Sequence, residues 1–178
     1  MSDAGPIVFA AIVGGLLVLE RKTIGPFLLA RPLVASVLVG AALGDASAAL
    51  PVGITLELYY LGAASYGGVA PDHETIATLF ASALAVSAAR VTGHDPSPDE
   101  LAVAVLLGLP LAPVGRVVES VVERRSASLV DRTEELLQRG ELRLASRQAL
   151  LPVASSVLIG ALVAVAGALA GPGVARLE

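Results

Sequence analysis

The sequence predicts an all-α integral membrane protein: about five to six transmembrane or re-entrant helices, broken around a central site, with one amphipathic helix on the cytoplasmic side. Three observations carry that prediction. Hydrophobic residues make up 55% of the 178-residue chain and mean hydropathy is +0.78, too apolar for a domain that must solvate most of its surface. The charged residues, 16% of the total, are clumped and leave long Ala/Val/Leu/Gly runs between them, which is the pattern of membrane spans. Glycine and proline fall inside several of those runs, where they interrupt a helix. At roughly 20 residues per span, residues 1–178 form a single membrane domain with little mass outside the bilayer.

The first apolar run, Ala4 to Leu19, ends at Glu20-Arg21-Lys22. It is short for a span, so tilt or local thinning of the bilayer is implied. It follows no basic n-region, so it reads as a retained segment rather than a signal peptide. The second runs from Gly25 to Gly44 with Arg31-Pro32 near its start; Pro32 disfavours helix at Arg31, which places Arg31 at a break or at the mouth of the segment. The third, Ala48 to Ala64, contains Glu57. Asp72, His73 and Glu74 open the fourth, Thr75 to Val91, where acids suit the positive end of a helix dipole. The polar loop Thr92 to Glu100 must lie outside the hydrocarbon. Gly108, Pro110 and Pro113 interrupt the fifth segment, Leu101 to Val118, giving a kinked or re-entrant pattern. Over 119–148 charge is dense, and apolar residues recur seven apart as Val122, Leu129, Leu136 and as Val130, Leu137, Leu144. Two adjacent rows at that spacing make one apolar stripe, so this is an amphipathic linker helix, with Gly140 as its break. Ala149 to Gly171 is the cleanest span.

Basic residues set the orientation. Arg124, Arg125, Arg132, Arg139, Arg143 and Arg147 in the linker, with Arg21, Lys22 and Arg31, belong on the cytoplasmic side. Alternating crossings then put the Thr92 to Glu100 loop outside. Arg90 stands at the wrong end for this rule.

Glu57 is the residue that asks for a function. Burying a charge at the bilayer centre costs roughly 2.5 kcal/mol or more, so such a group faces a bundle interior or a polar cavity. Around it Pro51, Gly53, Gly62, Gly67, Gly68 and Pro71 read as breaks in the helix, and broken backbone at membrane depth survives only where it lines a cavity or packs in protein. An acid beside broken backbone is a binding-site pattern: Glu57 and Thr55 are its polar candidates, with Asp72 at the next break and Asp45 as further ones. Asp45 reads more readily as a helix cap, Arg31 as an interfacial anchor or a partner for an acid, and Tyr59, Tyr60 and Tyr66 as interfacial rings.

Other chemistry is excluded or weak. The chain has no cysteine, which removes disulfides and thiolate metal sites, and its net charge of -4 argues for no nucleic acid. No catalytic residue, metal site or cofactor is expected. His94 reads as a solvated loop residue and His73 as a cap.

From Arg31 onward the motifs fall in a recognisable order: Arg31-Pro32-Leu33; Leu38 through Asp45; Gly53-Ile54-Thr55-Leu56-Glu57 with Gly62; Val69-Ala70-Pro71-Asp72. This order resembles the membrane subunit IIC of the mannose/fructose/sorbose class of the bacterial phosphoenolpyruvate-dependent sugar phosphotransferase system. Weaker echoes continue in Gly108 to Ala112 and Asp131 to Glu141, so the resemblance spans nearly the whole chain. Members of that class continue with further spans beyond the point matched by Gly171, which makes this a form shortened at the C-terminus. Glu141 stands where the class has Asn.

The resemblance implies a multi-pass sugar permease of the bacterial inner membrane, oligomeric, translocating a hexose of the mannose type together with a IID membrane subunit. Sugar hydroxyls need acceptors and donors, so it makes Glu57, Thr55, Asp72 and Asp45 the candidate sugar contacts and lets the tyrosines stack on a sugar face. Soluble IIA and IIB components would relay phosphoryl groups, and the IIC subunit would carry none itself. The alternative it leaves open is a non-transporting IIC-like scaffold or regulatory anchor.

Overall fold

The computed structural model describes residues 4–23, 27–62 and 72–176, and these form seven helices: α1 (Ala4–Thr23), α2 (Pro32–Leu43), α3 (Ala46–Leu61), α4 (Glu74–Thr92), α5 (Pro98–Gly108), α6 (Leu111–Gln138) and α7 (Leu142–Val174). Among the described residues three stretches are long and apolar enough to cross a membrane: Glu74–Thr92, Pro98–Gln138 and Leu142–Val174.

Helix α4 is the axis of the bundle, touched by every other helix. It can be buried because its polar side chains are small: Thr75, Thr78 and Ser82 are enclosed among alanines and leucines. Thr78 Oγ1 donates to the Glu74 carbonyl at 2.9 Å, while Thr75 Oγ1 reaches the Ala30 carbonyl at 3.1 Å. Small residues let backbones approach closely, the usual means of packing helices where lipid offers no hydrophobic contrast. The α1/α7 contact is the extreme case. A Cβ placed on Gly14 would lie 2.7 Å from the Gly160 carbonyl oxygen, so these two backbones touch.

Helices α2 and α3 form a hairpin that runs along α4 and back. Gly44 turns it in the left-handed region, φ 92°, which favours glycine. Asp45 then caps α3, its Oδ1 accepting from Ala48 N at 3.0 Å and from Ser47 Oγ at 2.6 Å. The sequence reading of Pro51 and Gly53 as helix breaks is corrected here: α3 continues through both. Gly53 instead marks close packing, because a Cβ on it would come within 2.7 Å of Ser36 Cβ on α2. Gly62 does end the helix; Tyr66, Gly67, Gly68, Val69, Ala70 and Pro71 lie outside the described residues, as does Gly25.

The expected interruption of the fifth segment falls at Leu109-Pro110, between α5 and α6. Pro113 causes no second break because it sits in the first turn of α6, where a missing N–H costs nothing. Helix α5 starts ahead of Leu101 because Ser97 and Glu100 form a reciprocal capping box. In the 119–148 region the expected break at Gly140 divides the linker into two arms, one continuous with α6 and one with α7. Gly140 takes φ 76° at the turn, and Thr133 Oγ1 meets Gln148 Oε1 at 3.5 Å between the arms. At 1.5 Å per residue α6 is about 42 Å long and α7 about 50 Å, well beyond the roughly 30 Å hydrocarbon core, so the arms project past one end of the bundle. Helix α1 reaches Thr23, 20 residues in all, and so is longer than its apolar run.

Candidate functional site

Two sets of charged residues meet where α3 ends and α4 begins. In the first, Pro32 starts α2 and leaves Arg31 as its extended N-cap, φ -65° and ψ 142°, so the guanidinium is free to reach across the hairpin. Arg31 Nε donates to Glu57 Oε1 at 2.9 Å, and Nη2 forms an ion pair with the same oxygen. Glu57 Oε2 accepts from the backbone N–H of Leu33 at 3.2 Å, the open N-terminus of α2. Arg31 Nη1 also lies 3.9 Å from Glu74 Oε1. The cost of an acid in an apolar helix is thus met by a guanidinium and a helix N-terminus. The side chains of Arg31 and Glu57 remain 33% and 18% exposed, so the pair is reachable from outside.

The second set ties the start of α4 to α6. Asp72 Oδ1 pairs with Arg116 Nη1 at 3.6 Å, His73 Nε2 stands 4.0 Å from Glu119 Oε2, and the His73 N–H donates to the Ala112 carbonyl at 3.2 Å. His73 is buried as the N-cap residue of α4, without a side-chain cap bond. His94 is exposed in the loop, as its sequence setting predicts.

Of the four sequence candidates, Glu57 and Asp72 are at the same end of the bundle, with buried Tyr60 within electrostatic reach of both Asp72 and Glu74. Thr55 is not with them. It is exposed, and its Oγ1 is turned back to the Pro51 carbonyl at 2.9 Å; two residues along an unbroken helix is about 200°, nearly the opposite face. Asp45 is at the far end of α3, about 18 Å from Glu57 along the axis. Its hydrogen bonds to Ser47 and Ala48 hold its carboxyl below the usual range, which is the signature of a cap. Tyr59 is exposed and stacks edge-on against Tyr60 at 4.9 Å.

Four charged residues in these contacts escaped the sequence reading as site residues. Arg116 lies inside the apolar run Leu101 to Val118, the same signal that singled out Glu57. Glu74 and Glu119 had no such signal. Glu20 is buried at the end of α1 and accepts from Phe27 N at 2.9 Å and Ala30 N at 3.0 Å, fixing the approach to Arg31. Among the described residues no group of three His, Cys, Asp or Glu side chains could hold a metal ion.

This bundle, with spans of membrane length and its charged side chains paired at helix ends, defines an all-α membrane protein. The chain belongs to the IIC components of the bacterial sugar phosphotransferase system: the family model described as the sorbose-specific IIC component matches residues 5–177. It is similar to the mannose-specific EIIC component of Escherichia coli, 30% identical over 113 residues, covering 63% of this chain and 39% of that relative. The Shigella flexneri protein matches to the same extent. The aligned stretch is therefore about two fifths of the length of the curated relatives. In fold it is similar to a chain in a cryo-EM structure of the mannose transporter ManYZ with a microcin, TM-score 0.75 at 24% identity, covering 93% of this chain and 63% of that one. A second solved membrane protein superposes with TM-score 0.74 at 25% identity over the same shares. The chain is thus a mannose-class IIC component and a bacterial membrane protein.

Proposed function

We propose that this chain is the sugar-permease subunit of a mannose-type phosphotransferase system. It acts as a single multi-pass domain of the inner membrane, in an oligomer with a IID subunit, and moves a hexose that soluble IIA and IIB components phosphorylate. The observation that carries the reading is the Glu57–Arg31–Glu74 cluster. It sets acceptors and a multi-donor guanidinium side by side, partly exposed, at the end of an otherwise apolar hairpin. A hexose hydroxyl both donates and accepts, so such a cluster can bind two or more hydroxyls at once. Glu57 keeps acceptor capacity after its bonds to Arg31 and Leu33, because a carboxylate has about four lone-pair sites. Asp72 is the second proposed sugar contact, held near by Arg116. Thr55 and Asp45 contribute only through the hairpin's shape.

Uptake of radiolabelled mannose by cells lacking their own mannose system tests this. Uptake is expected with this chain plus IID and not with either alone, and Glu57→Gln should lower it at least tenfold. The extent to which Glu57 is already bonded favours a second reading, a non-transporting scaffold. Uptake that is the same with and without this chain would establish that reading instead.

A further inference from the structure

Arg90 is the charge that the orientation rule leaves unexplained and that the cluster at the other end of α4 does not use. It is exposed in the last turn of α4, and its guanidinium reaches the α2–α3 turn, with Nη2 3.8 Å from the position of a Cβ on Gly44. Among the described residues no carboxylate comes to salt-bridge distance of it. Asp45 feels its charge only at longer range and keeps Oδ1 on Ala48 and Ser47.

Beside Arg90 opens a cleft of about 500 Å³, walled by Ile7 of α1, Leu43 of α2, and Ala168 and Leu169 of α7; among the described residues Ser87 and Arg90 are the only polar ones in its lining. That volume falls within the roughly 300–1,000 Å³ of ordinary ligand sites. A cation at a helix C-terminus is favourable by itself, which accounts for a basic residue here and not for an apolar cleft at its side. A soluble anion would gain nothing from the walls, and a purely apolar ligand nothing from the guanidinium. A ligand with both parts fits, and in a bilayer that is a phospholipid. The Arg fork matches two oxygens of a phosphate, and Asp45 does not line the cleft, so the charge that the described residues present to a headgroup is positive.

We infer that this cleft is a binding site for an anionic phospholipid, its phosphate on Arg90 and an acyl chain along Leu43, Ala168 and Leu169. The site lies at the opposite end of α4 from the proposed sugar contacts, so it stands whether or not the chain transports sugar. Native mass spectrometry of the full chain in an uncharged detergent, titrated with phosphatidylglycerol, phosphatidylethanolamine or phosphatidylcholine, tests it. One bound phosphatidylglycerol is expected, preferred about fivefold over the other two, the scale of one basic residue at a membrane surface. Arg90→Gln should erase the preference and Arg90→Lys keep part of it. Leu169→Trp, which retains the charge and fills the cleft, should weaken all three lipids and so reports on the site even where Arg90→Gln does not fold. Soluble glycerol phosphate should not displace the lipid. The inference is overturned by equal binding of the three lipids, by a preference that survives Arg90→Gln, or by displacement with glycerol phosphate. Loss of the bound lipid when the chain is purified with IID would make the cleft a protein interface and overturn it equally.

Discussion

Arg31 and Glu57 are 26 residues apart in sequence, and each alone looks misplaced. Their pairing explains both, and it separates two roles that a simple loss of activity would confuse. Arg31 serves Glu57 and Glu74, so Arg31→Gln leaves two carboxylates facing each other, whereas Glu57→Gln leaves Arg31 with Glu74 and an amide that still accepts from Leu33. Hydrogen bonds to charged groups are worth about 1.5–3 kcal/mol, and exposed pairs about 0.2–1 kcal/mol. For a pair one-third exposed on the arginine side, Arg31→Gln should cost about 1–2 kcal/mol and Glu57→Gln about 1 kcal/mol or less. Thermal unfolding of the two variants in detergent would order them. An equal or larger loss for Glu57→Gln would mean that the carboxylate is mainly structural. The sequence already showed that Glu57 needed a partner, since an acid in an apolar run has few alternatives. It also allowed Arg31 to be a partner for an acid. It could not show which acid, because that depends on how the hairpin folds back, nor that Thr55 faces away, because Gly53, two residues before it, reads as a break until α2 is packed against it.

Among the helices, the legible features were those with a local cause. Pro32 at the start of α2, Gly140 in the turn after α6 and the interruption near Pro110 follow from backbone constraints within a few residues. Even Ser97 to Glu100, read as loop, carried a capping-box pattern that fixes the start of α5. Glycines at helix contacts are different: a glycine inside a helix reads as a break unless the neighbouring helix is known. Gly14 and Gly160 are such a pair, contributed by the first and last helices, and nothing within either segment points to the other. The α1/α7 seam therefore yields a sharp expectation. Gly160→Leu would drive a side chain into the Gly14 backbone and Val18, at a cost in the range of about 1–3 kcal/mol typical of overpacking. Because both walls are backbone or β-branched, relaxation is poor and the upper part of that range applies. Gly173→Leu, at the end of the same helix with nothing within 4 Å of its Cβ position, should leave the unfolding midpoint unchanged. Equal behaviour of the two variants in size-exclusion and thermal unfolding would remove close packing as the reason for Gly160.

At the scale of the molecule, the contacts sort the chain into two ends. Glu20, Arg31, Glu57, Asp72 and Arg116 gather at one, which is also where the long arms of α6 and α7 project; Gly44, Asp45 and Arg90 gather at the other. This grouping is the one that alternating crossings require, and it places Arg31 with the basic linker as the distribution of arginines demands. Orientation in the membrane is then a single binary choice that one experiment decides. Residues 1–178 contain no cysteine, so label found on the chain after its purification reports the introduced thiol. With the basic linker inside, His94→Cys in the loop after α4 should react with a membrane-impermeant maleimide in intact cells. Ser146→Cys in the projecting arm of α7 should react only after the membrane is opened. Both positions are exposed; Ser146 Oγ donates to the nearby Arg143 carbonyl, and His94 Nδ1 meets the Asp95 carbonyl. The reverse pattern would put the Glu57–Arg31 end outside, where the linker arms could not meet soluble phosphoryl-transfer partners. It would leave the helix packing untouched and remove the proposed role.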